Sequence, residues 1–134
     1  MDITPISASD TLPLRQAVLW PDHPPEVSQV KGDENALHFG IHNDGQLICT
    51  ASLFWHDTTL RLRKFATAHS HQGQGLGSQM LTFLINKARE LGATAFWFDA
   101  RENALPFYEK HGFAPKGERF FKKDVAYRRM SREL

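Results

Sequence analysis

Residues 60–91 read LRLRKFATAHSHQGQGLGSQMLTFLINKAREL, and a change of period within them decides the fold. Before the glycines, Leu60 and Leu62 alternate with Arg61 and Arg63, the two-residue period of a strand, which predicts one from about Thr58 to Thr67. After them, Leu76, Met80, Leu84 and Ala88 recur at helical spacing with Leu81, Ile85 and Leu91 alongside, so a long amphipathic helix follows. Gly92 is placed to stop it. Thr94 to Asp99 then reads as a strand apolar on both faces, which predicts a central strand covered on both sides. Strand, glycine loop, helix and strand thus form one unit in the middle of the chain.

Upstream, Leu37, Phe39 and Ile41 alternate with His38, Gly40 and His42, the pattern of a half-buried strand. Asn43-Asp44-Gly45 reads as a turn, because these residues tolerate positive φ. The second arm, Gln46 to Trp55, leads through His56-Asp57 into the strand that precedes the glycines, which suggests an antiparallel meander. A first strand covers Asp2 to Ile6. Ser9, Asp10 and Thr11 offer capping oxygens and Pro13 suits a first helical turn, so a short helix should run to about Trp20. Pro21, Pro24 and Pro25 end it. From there to Asn35 the chain is polar and rich in breakers, which fits a lid or an unstructured connector. Downstream, a short helix near Ala104 to His111 and two strands, Phe113 to Phe121 and Val125 to Leu134, complete the map of an α/β chain.

The 134 residues suit one domain spanning 1–134, and 41% hydrophobic content is enough to fill a single core. Sixteen basic against 15 acidic side chains leave a net charge of +1, which gives no general pull toward nucleic acid or anionic lipid. Cys49 is the single cysteine, so no internal disulfide forms, and within an alternating apolar segment it reads as a small buried hydrophobe. Neither a leader-like N-terminus nor an apolar run of spanning length is present, and a soluble cytoplasmic protein is expected.

Gly73, Gly75 and Gly77 leave little side-chain bulk between an approaching ligand and the backbone at the start of a long helix. The first amides of a helix lack internal partners and its dipole places positive charge there, so the geometry favours an anion. The same glycines would also serve a tight turn that binds nothing. A P-loop is excluded, because Ser78 follows Gly77 with no lysine. The dinucleotide fingerprint needs Gly-x-Gly-x-x-Gly, whereas this loop runs Gly-x-Gly-x-Gly. Asp99, roughly 20 residues on, keeps that reading as a rival in which it would hold a ribose.

At this point the sequence resembles the GCN5-related N-acetyltransferase (GNAT) family. Its signature of Gln or Arg, x, x, Gly, x, Gly or Ala is met by Gln72, Gly75 and Gly77 after the strand Leu60 to Thr67. A second block, Ala104-Leu105-Pro106-Phe107-Tyr108-Glu109-Lys110-His111-Gly112-Phe113, is similar to the family's Ala-x-x-x-Tyr-Glu-Lys-x-Gly-Phe stretch. The ending Val125 to Met130 is similar to the final strand of some members. The resemblance implies a GNAT-like mixed, mostly antiparallel central sheet flanked by helices, with acetyl-CoA as cosubstrate. It implies that backbone groups of Phe65, Ala66 and Thr67 meet the thioester and pantetheine arm. Amides of Gln72, Gly73, Gln74, Gly75, Leu76, Gly77 and Ser78 would hold the pyrophosphate, and an N–H at Phe65 or Ala66 would stabilise the oxyanion. Tyr108 would act as general acid toward the departing thiolate and contact the cofactor. Without the family match its ring would read as core aromatic surface beside Phe107 and Phe113. The family often has an asparagine seven residues before this tyrosine. Here Arg101 stands there, with Asn103 two residues later as a candidate cofactor contact.

The glutamate that some members carry on the strand before the loop has no counterpart in Leu60 to Thr67. Water, His38, His42, Asp57 and Asp99 remain as bases. His38 and His42 share a strand face and His69 lies close to His71, yet no acidic or thiolate partner completes a metal set, so no metal is expected and exposed or capping histidines are the simpler account. Arg61 and Arg63 share one side of their strand, with Arg128 and Arg129 on a neighbouring final strand if the family topology holds. They would suit a carboxylate or phosphate on an acceptor, and equally a solvated surface. The leading expectation is an N-acetyltransferase acting on the amine of a small molecule. Its alternatives are a noncatalytic acyl-CoA-binding module, a dinucleotide-binding protein, and nucleic-acid binding through Lys122, Lys123, Arg128, Arg129 and Arg132, which the near-neutral charge disfavours. Strand edges at the C-terminus permit a homodimer.

Overall fold

A computed structural model describes residues 2–134. Among them are seven strands and three α-helices: β1 Ile3–Ile6, α1 Ala8–Leu19, β2 Leu37–Asn43, β3 Gln46–His56, β4 Thr59–Thr67, α2 Leu76–Glu90, β5 Ala95–Arg101, α3 Leu105–Glu109, β6 Ala114–Lys122 and β7 Val125–Glu133. The chain is organised as two compact units, one holding residues up to Phe54 with Leu62–Leu84, the other Trp55–Arg61 with Ile85–Leu134. Strand order is β1-β2-β3-β4 over the first and β4-β5-β7-β6 over the second, the first holding Leu62–Thr67 of β4 and the second Thr59–Arg61. All described pairings are antiparallel except β4 with β5, as a mixed, mostly antiparallel α/β fold requires. That parallel pair makes β4-α2-β5 a crossover unit, the strand-loop-helix-strand unit expected around the glycines.

In the first unit, α1 starts one turn earlier than its capping candidates suggested. Ser7 is the N-cap: its hydroxyl accepts from Asp10 N–H, and the Asp10 carboxylate accepts from Ser7 N–H. Pro13 consequently falls in the second turn rather than the first. Strands β2 and β3 are joined through Asp44 and Gly45, both at positive φ (52° and 78°), the turn geometry that matches strand twist. Residues 38–41 are all buried, so β2 is covered on both faces and not half-solvated. Phe39 packs edge-on against Phe83 of α2 at 5.2 Å, and Leu76, Met80, Leu81 and Leu84 bury the helix's apolar stripe. Each such side chain contributes roughly 1.5–3 kcal/mol.

The stretch from Pro21 to Asn35 is not an unstructured connector. Two short 3-10 turns, Pro25–Ser28 and Asp33–Asn35, anchor it on the fully buried Arg15 of α1. Arg15 donates to both carboxylate oxygens of Asp33 (2.9 and 3.1 Å), to Ser28 O (3.0 Å) and to Ser52 Oγ on β3 (2.9 Å). Burial alone would raise the Asp33 pKa, but Arg15 and Val30 N–H outweigh it and hold the carboxyl below its usual range.

In the second unit, α2 ends in a Schellman motif, with Gly92 N–H on Arg89 O and Ala93 N–H on Ala88 O around Gly92 at φ 82°. β5 lies between β4 and β7. One of its faces, Phe96, Phe98 and Ala100, is fully buried; the other, Ala95, Trp97 and Asp99, is only part-covered, contrary to the expectation of two closed faces. β6 is the outer strand and almost wholly exposed. No helix among the described residues is long and apolar enough to cross a membrane.

Candidate active site

The end of β4 and the start of α2 carry most of the expected cofactor residues, all within the first unit. Pairing of β4 with β5 covers Thr59, Leu60 and Arg61 and goes no further. Three residues later Lys64 takes φ 56°, a left-handed conformation that costs a non-glycine residue about 1–2 kcal/mol and interrupts the extended backbone just ahead of Phe65, Ala66 and Thr67. Nothing in the sequence marks Lys64 for this.

Beyond Thr67 the chain is tied down at three points. Ala68 N–H donates to Ile48 O (2.8 Å), and the Thr67 hydroxyl donates to Cys49 Sγ (3.5 Å). The Gln72 side chain donates to Thr67 O (3.0 Å). Gln72 is therefore a brace, its side-chain amide tying the loop back to the end of β4. Cys49 is fully buried, as expected of a small hydrophobe, and burial pushes its thiol pKa up.

The glycines of the loop are not equivalent. Gly73 and Gly75 take φ 77° and 81°, and a Cβ at either would meet nothing within 4 Å, so the requirement is conformational and the space in front of them is open. Gly77 has no such requirement and belongs to the first turn of α2. The first helical bond runs from Gln79 N–H to Gly75 O (3.1 Å), which leaves the amides of Leu76 and Gly77 ahead of the ladder. Two left-handed glycines, Gly73 and Gly75, thus open a 15-residue helix whose first amides and dipole lie at the loop. A diphosphate fits that chemistry without a basic side chain.

Tyr108 and Asn103 belong to the second unit. The Tyr108 ring packs on Phe98 (4.4 Å between centroids), Phe107 (5.1 Å) and Phe113 (6.5 Å). Burial pushes its pKa up to about 12. Gly112, at φ 84°, lets the chain turn so that Phe113 reaches the buried face of β5, and a Cβ there would sit 2.9 Å from Arg132 Nη1. That is the physical content of the Gly-Phe pair in the second block. Arg101 and Asn103 are exposed.

The candidate bases separate clearly. His38 is 5% exposed, with Nδ1 at 2.6 Å from Ser52 Oγ and Nε2 at 2.8 Å from Asp33 O, so it is a buried part of the Arg15 network and not an exposed or capping histidine. Asp99 accepts from Arg61 Nη2 (3.1 Å) and Arg129 Nε (3.0 Å). It is committed to arginines rather than to a ribose, which removes the main support for the dinucleotide reading. His42 and Asp57 are exposed. The C-terminal basic residues are engaged within their own unit: Arg128 Nη2 donates to Gly117 O, Arg132 Nη1 to His111 O, and Lys122 lies 4.8 Å from the Tyr127 ring. Arg63 lies 5.9 Å over the Phe54 ring in the first unit.

Residues 6–113 match the acetyltransferase (GNAT) family. A relative from Bacillus subtilis (strain 168), the uncharacterized N-acetyltransferase YjcF, is 33% identical over 61 residues, 46% of this chain and 44% of that protein. The match thus spans less than half the length of that relative. The crystal structure of Escherichia coli ElaA superposes with a TM-score of 0.86 at 17% identity, covering 98% of this chain and 99% of ElaA. A GNAT family acetyltransferase from Elizabethkingia anophelis, solved with acetyl-CoA bound, gives 0.79 at 20% identity over 99% and 97%. The fold is shared with both.

Proposed function

The chain belongs to the acetyltransferase (GNAT) family, and from that membership we infer that it acts as one catalytic domain moving an acetyl group from acetyl-CoA to the amine of a small molecule. The observation that carries this reading is the left-handed pair Gly73 and Gly75 opening α2. Amides of Gln72 to Ser78 take the pyrophosphate, as the acetyl-CoA held by the Elizabethkingia protein of the same fold supports. Backbone groups of Phe65, Ala66 and Thr67 take the pantetheine arm and the thioester, and the turn of the backbone at Lys64 supports this. Asn103, exposed after β5, is the remaining cofactor contact.

In the reaction the amine nitrogen bonds to the carbonyl carbon and the carbon–sulfur bond breaks. A backbone N–H at Phe65 or Ala66 meets the charge developing on the carbonyl oxygen, a contact of a kind that typically lowers a barrier by about 3 kcal/mol. Tyr108 serves the sulfur. With its pKa near 12 against about 8.5 for a thiol, complete proton transfer would run uphill by about 5 kcal/mol. Tyr108 therefore stabilises the leaving thiolate as a hydrogen-bond donor that is always protonated, which refines the general-acid role. The amine's proton leaves through water or the exposed His42 or Asp57, since His38 and Asp99 are engaged within the fold.

Titrating acetyl-CoA while following thermal unfolding tests the binding step. One hundred times the dissociation constant should add about 2.7 kcal/mol of stability. CoA release with a panel of small amines tests transfer. Stabilisation with no release from any amine would leave the noncatalytic binding module, and absence of stabilisation would end both readings.

A further inference from the structure

The part-covered face of β5 bears a charged platform that the acetyl-transfer reading does not use. Trp97 is pinned by its Nε1–H on Thr59 Oγ1 (3.1 Å) and by His56 edge-on at 5.4 Å. Over its ring lie two guanidinium groups, Arg61 at 4.8 Å and Arg129 at 4.2 Å. Between them the carboxylate of Asp99, 8% exposed, receives one N–H from each. Two cations thus flank one anion.

Arg129 is the open half of it. Its Nε is spent on Asp99 and its plane is stacked on Trp97, while the side chain as a whole is 46% exposed against 19% for Arg61. A guanidinium whose torsions are already fixed loses little freedom when it binds, and its Nη1 and Nη2 are the donors left for a planar oxyanion. A surface arginine kept only for solubility has no need of both a buried carboxylate and an aromatic seat.

We propose that Arg129, held by Asp99 and Trp97, binds a carboxylate of the acceptor, so that the enzyme's substrates are amines carrying a carboxylate group. The inference rests on the acetyltransferase reading and narrows it. Successive residues of a strand point to opposite faces, so this platform and Tyr108, which packs on Phe98, lie on opposite sides of β5.

The test uses amino acids, their carboxamides and the corresponding decarboxylated amines as matched acceptors, with CoA release as readout. The wild-type chain should favour the carboxylate member of each set in kcat/KM by about tenfold to a hundredfold, as one charge-assisted contact provides. Arg129→Ala should raise KM for carboxylate acceptors and erase that preference, and Arg129→Lys, which keeps charge without the fork, should fall between. Stabilisation by acetyl-CoA should be the same in all three, which separates this site from one for the cofactor's phosphates. Preference for the neutral amine, or an equal loss for all acceptors in Arg129→Ala, overturns the proposal and leaves the acetyltransferase reading standing. If no amine of any kind releases CoA, that reading falls. The carboxylate site is then judged by calorimetry with the amino acids alone, where heat of binding lost in Arg129→Ala upholds it and its absence in the wild type ends it.

Discussion

Replacing Asp33 by alanine should be among the most damaging single changes outside the catalytic elements, although Asp33 sits in a stretch that looks like a loop. Arg15 is 0% exposed and Asp33 9%, and the pair shares two hydrogen bonds of 2.9 and 3.1 Å. Removing the carboxylate strands a buried guanidinium, and breaking a buried pair in this way costs about 3–5 kcal/mol. Domains of this size have about 5–15 kcal/mol in total, so the variant loses a large part of its stability and about 10–20 °C in Tm. Denaturant unfolding of Asp33→Ala beside the exposed control Asp22→Ala measures the difference. The folded-state pKa of Asp33 is lowered, so its contribution is complete above the unfolded carboxyl value of about 3.9 and is lost as pH falls through the folded value. The gap between wild type and Asp33→Asn should accordingly be flat from pH 7 down to about pH 5 and narrow below pH 4. A cost under about 1 kcal/mol, or a gap that narrows between pH 7 and 5, would refute the account of this network.

Gly75→Ala should weaken acetyl-CoA binding at least tenfold while costing only about 1–2 kcal/mol of stability, because its Cβ meets open space and the penalty is the φ of 81° alone; calorimetric titration and thermal unfolding give the two numbers, and unchanged affinity would contradict the pyrophosphate assignment. Tyr108→Phe should lower kcat by ten- to a thousandfold with acetyl-CoA affinity retained, and the wild-type kcat profile should show no alkaline fall owed to Tyr108 below about pH 10, since its pKa is near 12. A descending limb at pH 8–9 that vanishes in the phenylalanine variant would rule this out. Cys49, buried with a raised pKa, should not react with a disulfide reagent in the native protein, so thiol release in the activity assay reports CoA alone; reaction of the native chain within minutes would show the β3–β4 region opening.

What the sequence made legible follows the strength of its periods. The β2–β3 hairpin, α2 and its Gly92 stop were readable because alternation, a 3.6-residue repeat and a left-handed residue each leave a local mark. Arg15 left none, since a charged residue on a buried helix stripe looks like an error in the pattern until Asp33, eighteen residues on, is seen to neutralise it. The same long-range pairing turned an apparent connector into an anchored segment and placed His38 in the interior. Ser7, the N-cap, does not stand out from Ser9, Asp10 and Thr11 in the sequence, because four capping side chains in five residues differ only in which amide they reach.

The proposed cofactor site and the proposed acceptor site differ in legibility for a physical reason. A phosphate held by bare amides needs a backbone that few residues allow, so the demand surfaces as glycines at fixed spacing, here Gly73 and Gly75 before α2. A carboxylate held by a guanidinium needs only an arginine at an outward strand position, where alternation already expects a polar residue. Arg129 therefore looks like any solvated charge until Trp97 and Asp99 are found beneath it. Chemistry common to a family is written in the backbone and survives in the motif, whereas specificity is written in side chains whose partners come from other strands. For that reason Arg129, more than any residue of the glycine loop, is where exchange of one side chain should change which amine is acetylated without changing what donates the acetyl group.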